Sequence, residues 1–254
     1  MKSIRLTLNG AGQSQICALP LPSPVFGPTA TGSEDVGVPV GTSALAVRVA
    51  RFGEGADEMG PRSRSMRFVL AGKVRVAASN GVASLEPGDV VFVDDLEAAG
   101  HRVSSEDGAI LLEVDLDAQW SPSGMVPAPT DGGRGASAEP TFRRMYVEDE
   151  LAHFASFDDL LDSGSTAQPV SGLTFTCLSP DLASDWHTEE GISLVVVLSG
   201  GFELEVPGRG GAQIFRAGDV CLVDDRTGKG HITRTHGETR FAAIALPEGH
   251  RWSR

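Results

Sequence analysis

The sequence predicts an all-β protein made of two similar domains, and three observations support this prediction. GDVVFVDD at 88–95 returns as GDVCLVDD at 218–225, with six of the eight positions identical. Hydrophobic and polar residues alternate with a period of two in several short segments, which is typical of half-buried β-strands. Glycine accounts for 31 of the 254 residues, which favours many turns over long helices. Repeated strands and turns of this kind indicate a β-sandwich or a barrel.

The repeat extends beyond this pair of segments. FVLAGKVRV at 68–76 parallels VVLSGGFEL at 196–204. Histidines 101 and 231 follow the repeated glycine, Gly88 or Gly218, by 13 residues in each copy. We therefore expect one fold of roughly 120 residues to occur twice along the chain.

The region between the copies differs in composition. Residues 120–140 are mainly Pro, Gly, Ser and Ala with almost no apolar pattern, which is typical of a linker. We predict an N-terminal domain at 1–120, a linker at 121–138 and a C-terminal domain at 139–254. Helix is expected for a turn or two at most, around 157–164.

Strands and tight turns alternate within each copy. Apolar residues alternate with charged ones at 73–76 and 202–206, and every second residue is apolar across 110–116. EPGD at 86–89 puts Pro and Gly at the centre of a tight turn, and RAGD at 216–219 takes the same place in the second copy. Each domain is therefore predicted to consist of short strands joined by tight turns.

Charge and composition exclude several classes of partner. Lys and Arg number 21 against 34 Asp and Glu, a net charge of −13, and no basic cluster occurs. Nucleic acids and anionic membranes attract basic surfaces, so neither is expected as a partner. No apolar run approaches the ~18 residues of a membrane span, and the N-terminus lacks the apolar core of a secretory signal. Three scattered cysteines form no disulfide framework, so we expect a cytoplasmic protein.

The order of motifs in each copy resembles the cupin superfamily, and two copies in tandem resemble a bicupin. The resemblance covers nearly all of 143–246 and, more weakly, 4–117. The C-terminal copy is also similar to a widespread group of single-cupin proteins. The resemblance implies two tandem RmlC-like jelly-roll β-barrels. The motifs that carry it are HF (153–154), WH (186–187), VVVLSGGFELEV (195–206) and FRAGDVCLVDDRTGKGHITR (215–234).

Cupins commonly hold a metal ion inside the barrel, and the resemblance implies where its ligands would lie. The two histidine positions of the first motif fall on His187 and Glu189, its Glu position falls on Ser193, and the histidine of the second motif is His231. Positions 187, 189 and 193 share parity on a strand, so all three side chains can face one barrel interior. Two imidazoles and one carboxylate suit Fe(II) or a comparable divalent ion such as Mn, Ni or Zn. No nucleotide cofactor is expected, because the phosphate-loop and dinucleotide patterns are incomplete.

The first copy lacks most of these ligands. His101 corresponds to His231, but Met59, Pro61 and Ser65 stand at the other positions. We therefore expect the N-terminal barrel to be metal-free, either structural or binding something else, and the site to lie in the C-terminal barrel.

Further residues are candidates for the pocket of the C-terminal barrel. Glu190 and Asp224 are candidate catalytic residues that could move protons, although a strand-end aspartate is often simply solvated. Ser193, Phe175 and His153 are candidate ligand-binding residues beside the two histidines, although an aromatic side chain is more often part of a core.

Two functional hypotheses follow, with a third close to the second. The first is an oxygenase, isomerase or cyclase in which a metal ion in the C-terminal barrel acts on a small chelating organic substrate. The second is a metal-free cupin that binds a small ligand without turnover, as a sensor, carrier or accessory protein. The third is a metal-free acid–base enzyme that uses the same histidines. The expected partner is a small molecule, with a homodimer as a further possibility.

Overall fold

The computed structural model describes most of the chain, and all of its regular elements in the described part are β-strands. The all-β prediction is therefore confirmed. The short helix expected around 157–164 lies outside the described residues, apart from Phe157. No helix in the described part is long and apolar enough to span a membrane. The described residues are 1–21, 39–40, 44–53, 57–59, 64–96, 100–117, 126–127, 139–157 and 167–249.

The strands are short, and they are numbered here in chain order. They are β1 (Ser3–Leu8), β2 (Ser14–Ala18), β3 (Pro20–Leu21), β4 (Pro39–Val40), β5 (Ala44–Phe52), β6 (Asp57–Met59), β7 (Ser65–Gly72), β8 (Val74–Ala78), β9 (Gly81–Leu85), β10 (Val90–Val93), β11 (Arg102–Ser104), β12 (Ala109–Leu116), β13 (Val126–Pro127), β14 (Phe142–Glu148), β15 (Leu151–Ser156), β16 (Gln168–Pro169), β17 (Gly172–Leu178), β18 (Ser193–Ser199), β19 (Gly201–Glu205), β20 (Ala212–Arg216), β21 (Val220–Asp224), β22 (Ile232–Thr235) and β23 (Thr239–Ala245).

The chain divides into two compact units. Unit 1 comprises Met1–Ser23, Ser43–Pro140 and Gly164–Gln168. Unit 2 comprises Pro24–Thr42, Thr141–Ser163 and Pro169–Arg254. The predicted domains, 1–120 and 139–254, differ from these units in two segments. Pro24–Thr42, which contains β4, belongs to unit 2, and Gly164–Gln168 belongs to unit 1. Most of the predicted linker at 121–138 lies outside the described residues.

The two units repeat one sheet topology. The large sheet with the strands of unit 1 has the order β16-β5-β12-β7-β10-β1-β2, and that of unit 2 has the order β4-β17-β23-β18-β21-β14-β15. In each sheet the opening strand runs parallel to the strand of the repeated Gly-Asp motif, β1 with β10 and β14 with β21. Smaller sheets, β6-β11-β8-β9 and β20-β19-β22, accompany the large ones. The repeat in the sequence is therefore a repeat in the fold.

One face of the large sheet in unit 2 carries the core of that unit. Side chains of paired residues share a face, and Val195 pairs with Cys221 while Ser193 pairs with Val223. This face, called the interior face below, therefore includes Ser193. The buried core on it and on the facing strands consists of Met145, Ala152, Phe154, Val197, Phe202, Leu204, Val206, Phe215, Cys221 and Val223.

The repeated Gly-Asp pair forms the predicted tight turn in both units. Gly88 and Gly218 adopt φ angles of 87° and 92°, which glycine tolerates without steric cost. The carboxylate of Asp219 accepts hydrogen bonds from the backbone N–H of Arg216 at 2.7 Å and of Thr141 at 2.6 Å. Burial raises the pKa of Asp219 above its ordinary value, although these N–H groups oppose the shift. Asp219 thus ties the start of β14 to the turn before β21.

Replacing Asp219 with alanine is expected to lower the free energy of unfolding by about 2–3 kcal/mol, because two backbone N–H groups lose their acceptor. Urea denaturation followed by circular dichroism measures the change. Asp224→Ala is the control, because Asp224 pairs with a partly exposed Arg226 at 3.0 Å and such pairs contribute less than about 1 kcal/mol. Equal losses in the two variants would contradict the role of Asp219.

Candidate metal and ligand site

His187 and His231 face each other in unit 2 across an isolated antiparallel β-bridge. The backbone N–H of His187 donates to the carbonyl of His231 at 3.0 Å, and the reverse hydrogen bond measures 2.8 Å. The centroids of the two imidazole rings are 4.4 Å apart. Two side chains that are far apart in the sequence are therefore held side by side by main-chain hydrogen bonds.

The segment between His187 and Ser193 is not a strand. β18 begins at Ser193, and residues 188–192 form an irregular connection with a bend at Gly191. Residues 187, 189 and 193 therefore do not share one strand face, contrary to the prediction. A glycine in this position weakens strand formation, and the connection itself carries Glu189 towards the histidines.

Glu189 completes a cluster of three candidate ligands. Its Oε1 lies 4.0 Å from Nε2 of His231. Among the described residues, one ligand atom from each of His187, Glu189 and His231 lies within 4.8 Å of the other two. The side chain of Glu189 is 43% exposed and that of His231 only 3%, so the cluster has a closed side at His231 and an open side at Glu189.

Hydrogen bonds fix which nitrogen of each imidazole faces the cluster. Nδ1 of His231 lies 2.6 Å from Oδ2 of Asp225, and Nδ1 of His187 lies 2.9 Å from the carbonyl oxygen of Asp185. A carbonyl oxygen can only accept, so Nδ1 of His187 carries the proton and Nε2 keeps its lone pair. The carboxylate of Asp225 favours the same tautomer in His231. This is the usual arrangement around metal-binding histidines.

Asp225 is a residue that the sequence reasoning missed. It is completely buried and contacts His231, whereas the predicted Asp224 pairs with Arg226 and shares a register position with Tyr146 on the opposite face of the sheet. The sequence does carry a signal for Asp225, because an aspartate precedes the repeated histidine by six residues in both copies.

Unit 1 contains the same aspartate–histidine pair. Nδ1 of His101 lies 2.8 Å from Oδ2 of Asp95, and both side chains are buried. Burial acts to raise the pKa of Asp95, but hydrogen bonds, chiefly from His101, bring it below its ordinary value. The pair is thus part of the repeated fold, and the second histidine and Glu189 distinguish unit 2.

The other predicted pocket residues lie at different places. Ser193 is on the interior face, and Glu190 is exposed in the connection next to Glu189. Phe175 is buried on the opposite face, because it pairs with Ala242, which also pairs with Val196. The structure therefore places Phe175 and Ser193 on opposite faces of the sheet.

His153 belongs to the β14–β15 hairpin rather than to the site. Its Nδ1 accepts a hydrogen bond from the backbone N–H of Arg209 at 2.7 Å, and its Nε2 donates to the carbonyl of Glu148 at 3.1 Å. Its ring lies against Tyr146, with centroids 5.6 Å apart. Both ring nitrogens are therefore used within the fold, and the predicted ligand-binding role is not supported.

Gly230 allows the close approach of the two histidines. A Cβ atom at Gly230 would lie 1.8 Å from the carbonyl oxygen of His187, and the φ angle of Gly230 is 73°. The preceding Lys229 places its Nζ 4.0 Å from the ring centroid of Trp186 in a cation–π contact. The segment before His231 is thus packed against the segment before His187.

The chain shows likeness to solved cupin structures. It is similar to a cupin 2 conserved barrel domain protein from Leptotrichia buccalis, at 13% identity and a TM-score of 0.41, over 80% of this chain and 84% of that one. No protein-family model and no curated protein matches this chain.

Two further solved structures are similar to this chain. Oxalate decarboxylase from Bacillus subtilis, a protein with Mn(II) centres, is 16% identical with a TM-score of 0.31, over 83% of this chain and 71% of that one. A protein from Pseudomonas aeruginosa described as glyoxylate-induced is 13% identical with a TM-score of 0.38, over 82% and 77%.

Proposed function

We propose that unit 2 holds one divalent metal ion on His187, Glu189 and His231 and acts there on a small chelating organic molecule. The observation that carries the proposal is the orientation of the two imidazoles, whose Nδ1 atoms are engaged by Asp185 and Asp225. Their Nε2 lone pairs and the Glu189 carboxylate then gather within a few ångströms of one another. Such electron-rich groups repel one another unless a cation lies between them.

The donor set fits a divalent transition metal. Two neutral imidazoles and one carboxylate, with coordination positions left open, suit Fe(II), and Mn, Ni and Zn are compatible alternatives. Such an ion, when bound, supplies a Lewis acid and open positions for water, dioxygen or a chelating substrate. The chemistry proposed is accordingly of the oxygenase, isomerase or cyclase type.

The residues of the chain have separate tasks in this proposal. His187 and His231 present Nε2 to the ion, and Asp225 orients the ring of His231. Glu189 adds a negative charge on the exposed side. Glu190, exposed beside Glu189, remains the predicted proton-transfer residue, whereas Asp224 is no longer assigned this role because it lies on the opposite face of the sheet.

Metal analysis of protein purified without chelators tests the proposal. We expect about one ion per chain by mass spectrometry, and a large loss in His187→Ala and in His231→Ala, because each removes a ligand. His236→Ala is the control, since His236 is exposed in the turn after β22. Less than about 0.1 ion per chain, unchanged after adding Fe, Mn, Ni or Zn, would contradict metal binding.

A metal-free ligand-binding function is the second candidate. It is favoured by the position of His231 between the carboxylates of Asp225 at 2.6 Å and Glu189 at 4.0 Å, because groups of the protein then hold the ring in place for hydrogen bonding to a ligand. A sensor, carrier or accessory protein would then bind its ligand without turnover. In that case His187→Ala weakens ligand binding in protein free of metal, and formation of any product contradicts the idea. A metal-free acid–base enzyme would instead form product without metal.

A further inference from the structure

The interior face of unit 2 next to the proposed site carries small uncharged side chains. Ser193 pairs with Ala245, and Val195 pairs with Ala243, which in turn pairs with Thr174. Ser193 directly follows the connection that carries Glu189. Its pairing partner on the adjacent strand, Val223, precedes Asp225 by two residues. The term wall is used below for five of these residues: Thr174, Ser193, Val195, Ala243 and Ala245.

The wall is accessible from inside the unit. All five of its residues are half-buried. Their sequence neighbours on the opposite face of the same strands, such as Leu194, Ala242 and Ile244, are buried, with 0% exposure. Because the opposite face is closed, the exposed fraction of the wall residues comes from the interior face. The interior face of unit 2 is therefore less tightly packed along the wall than the opposite face of the same strands.

Four of the five equivalent positions in unit 1 are charged. At the same register positions in unit 1, Ser65 pairs with Asp115. Arg67 pairs with Glu113, which in turn pairs with Arg48. Nε of Arg67 and Nε of Arg48 each lie 2.9 Å from the carboxylate of Glu113, and Arg48 also pairs with Asp115 at 2.5 Å. Arg67 and Glu113 are buried. Four charged side chains in unit 1 thus replace one valine, one threonine and two alanines of the wall.

From this difference, and resting on the proposed metal site, we propose that the wall determines specificity and selects a chelating molecule whose remaining part is compact and uncharged. A charged group placed on the wall would lose its hydration and meet no charged wall residue. An alkyl group would contact Val195 and the two alanines, and the hydroxyls of Ser193 and Thr174 can exchange hydrogen bonds with a small polar substituent. Simple dicarboxylates are disfavoured by the same reasoning.

A matched pair of chelators tests this inference on the full-length protein loaded with Co(II). Butanohydroxamate and succinic monohydroxamate carry the same chelating group, but only the second has a carboxylate at its far end. Visible absorption of the Co(II) ion reports binding of each. We expect butanohydroxamate to bind at least about tenfold more tightly, because the carboxylate would be desolvated against the wall.

Two variants examine the wall directly. Val195→Arg places the unit 1 residue in unit 2, and Ser193→Lys places a cation at the end of the wall next to the connection that carries Glu189. Each is expected to shift the preference towards succinic monohydroxamate. His236→Arg is the control, because it adds a cation at an exposed position in the turn after β22, outside the wall, and should leave the preference near that of the wild type.

The outcomes separate this inference from the metal proposal. Equal affinity of the two chelators for the Co(II) protein, or tighter binding of succinic monohydroxamate, would overturn the role of the wall alone. An unchanged preference in a folded Ser193→Lys variant would also overturn it. Failure of the protein to bind Co(II) would overturn both proposals.

Discussion

Gly230→Ala is expected to reduce metal affinity of unit 2 by at least about 100-fold, since displacements of about 1 Å at a site can have effects of this size. The added Cβ would lie 1.8 Å from the carbonyl oxygen of His187. It would therefore break the bridge between the two histidines, and the φ angle of 73° adds backbone strain for alanine. Calorimetric titration of the metal-free protein with Zn or Mn measures the change.

Gly237→Ala is the control that separates the effect of backbone strain from the effect of displacing the two histidines. Gly237 has a φ angle of 115°, and a Cβ there meets no atom within 4 Å. This variant therefore carries a similar backbone cost without touching either histidine, and we expect its metal affinity to match the wild type. Equal losses in the two variants, or full binding by folded Gly230→Ala, would contradict the proposed role of the bridge.

Asp225→Ala is expected to weaken metal binding by about 10- to 100-fold, the usual effect of removing the partner of a metal-binding histidine. Loss of the carboxylate frees Nδ1 of His231, so the ring can adopt the other tautomer or turn. Nitrogen-15 NMR of the histidines in metal-free protein reads the tautomer directly. Asp225→Asn is expected to recover part of the affinity, because its amide oxygen can still accept from Nδ1.

Asp95→Ala provides the control for Asp225. Asp95 makes the same contact to His101 in unit 1 at 2.8 Å, so its loss carries a comparable cost in stability. We expect this variant to keep the metal affinity of the wild type. A loss as large as that of Asp225→Ala would indicate a general effect on folding. An unchanged His231 tautomer in Asp225→Ala would show that Asp225 does not orient the ring.

Much of the fold could be predicted because it depends on local pattern. Period-two alternation reports the geometry of a strand directly, and the repeated Gly-Asp turn marks the same strand junction in both units. The division into units was harder to predict, because the pairing of β4 with β17 joins residues from opposite halves of the chain. A pairing of two-residue strands leaves almost no pattern in a sequence.

The site was less predictable because it depends on register. The resemblance indicated His187 and His231. The prediction that residues 187, 189 and 193 share one face required a continuous strand up to Ser193, but the chain bends at Gly191 and the strand begins only at Ser193. A shift of one residue exchanges the two faces of a strand. The same effect separates Asp225, which contacts His231, from the predicted Asp224.

The bridge between positions 187 and 231 consists of main-chain hydrogen bonds, so it does not depend on which side chains the two residues carry. The main chain therefore holds the two positions side by side whichever side chains they carry. A substitution of either histidine is therefore expected to change what the proposed site binds while leaving the main chain at positions 187 and 231 in place.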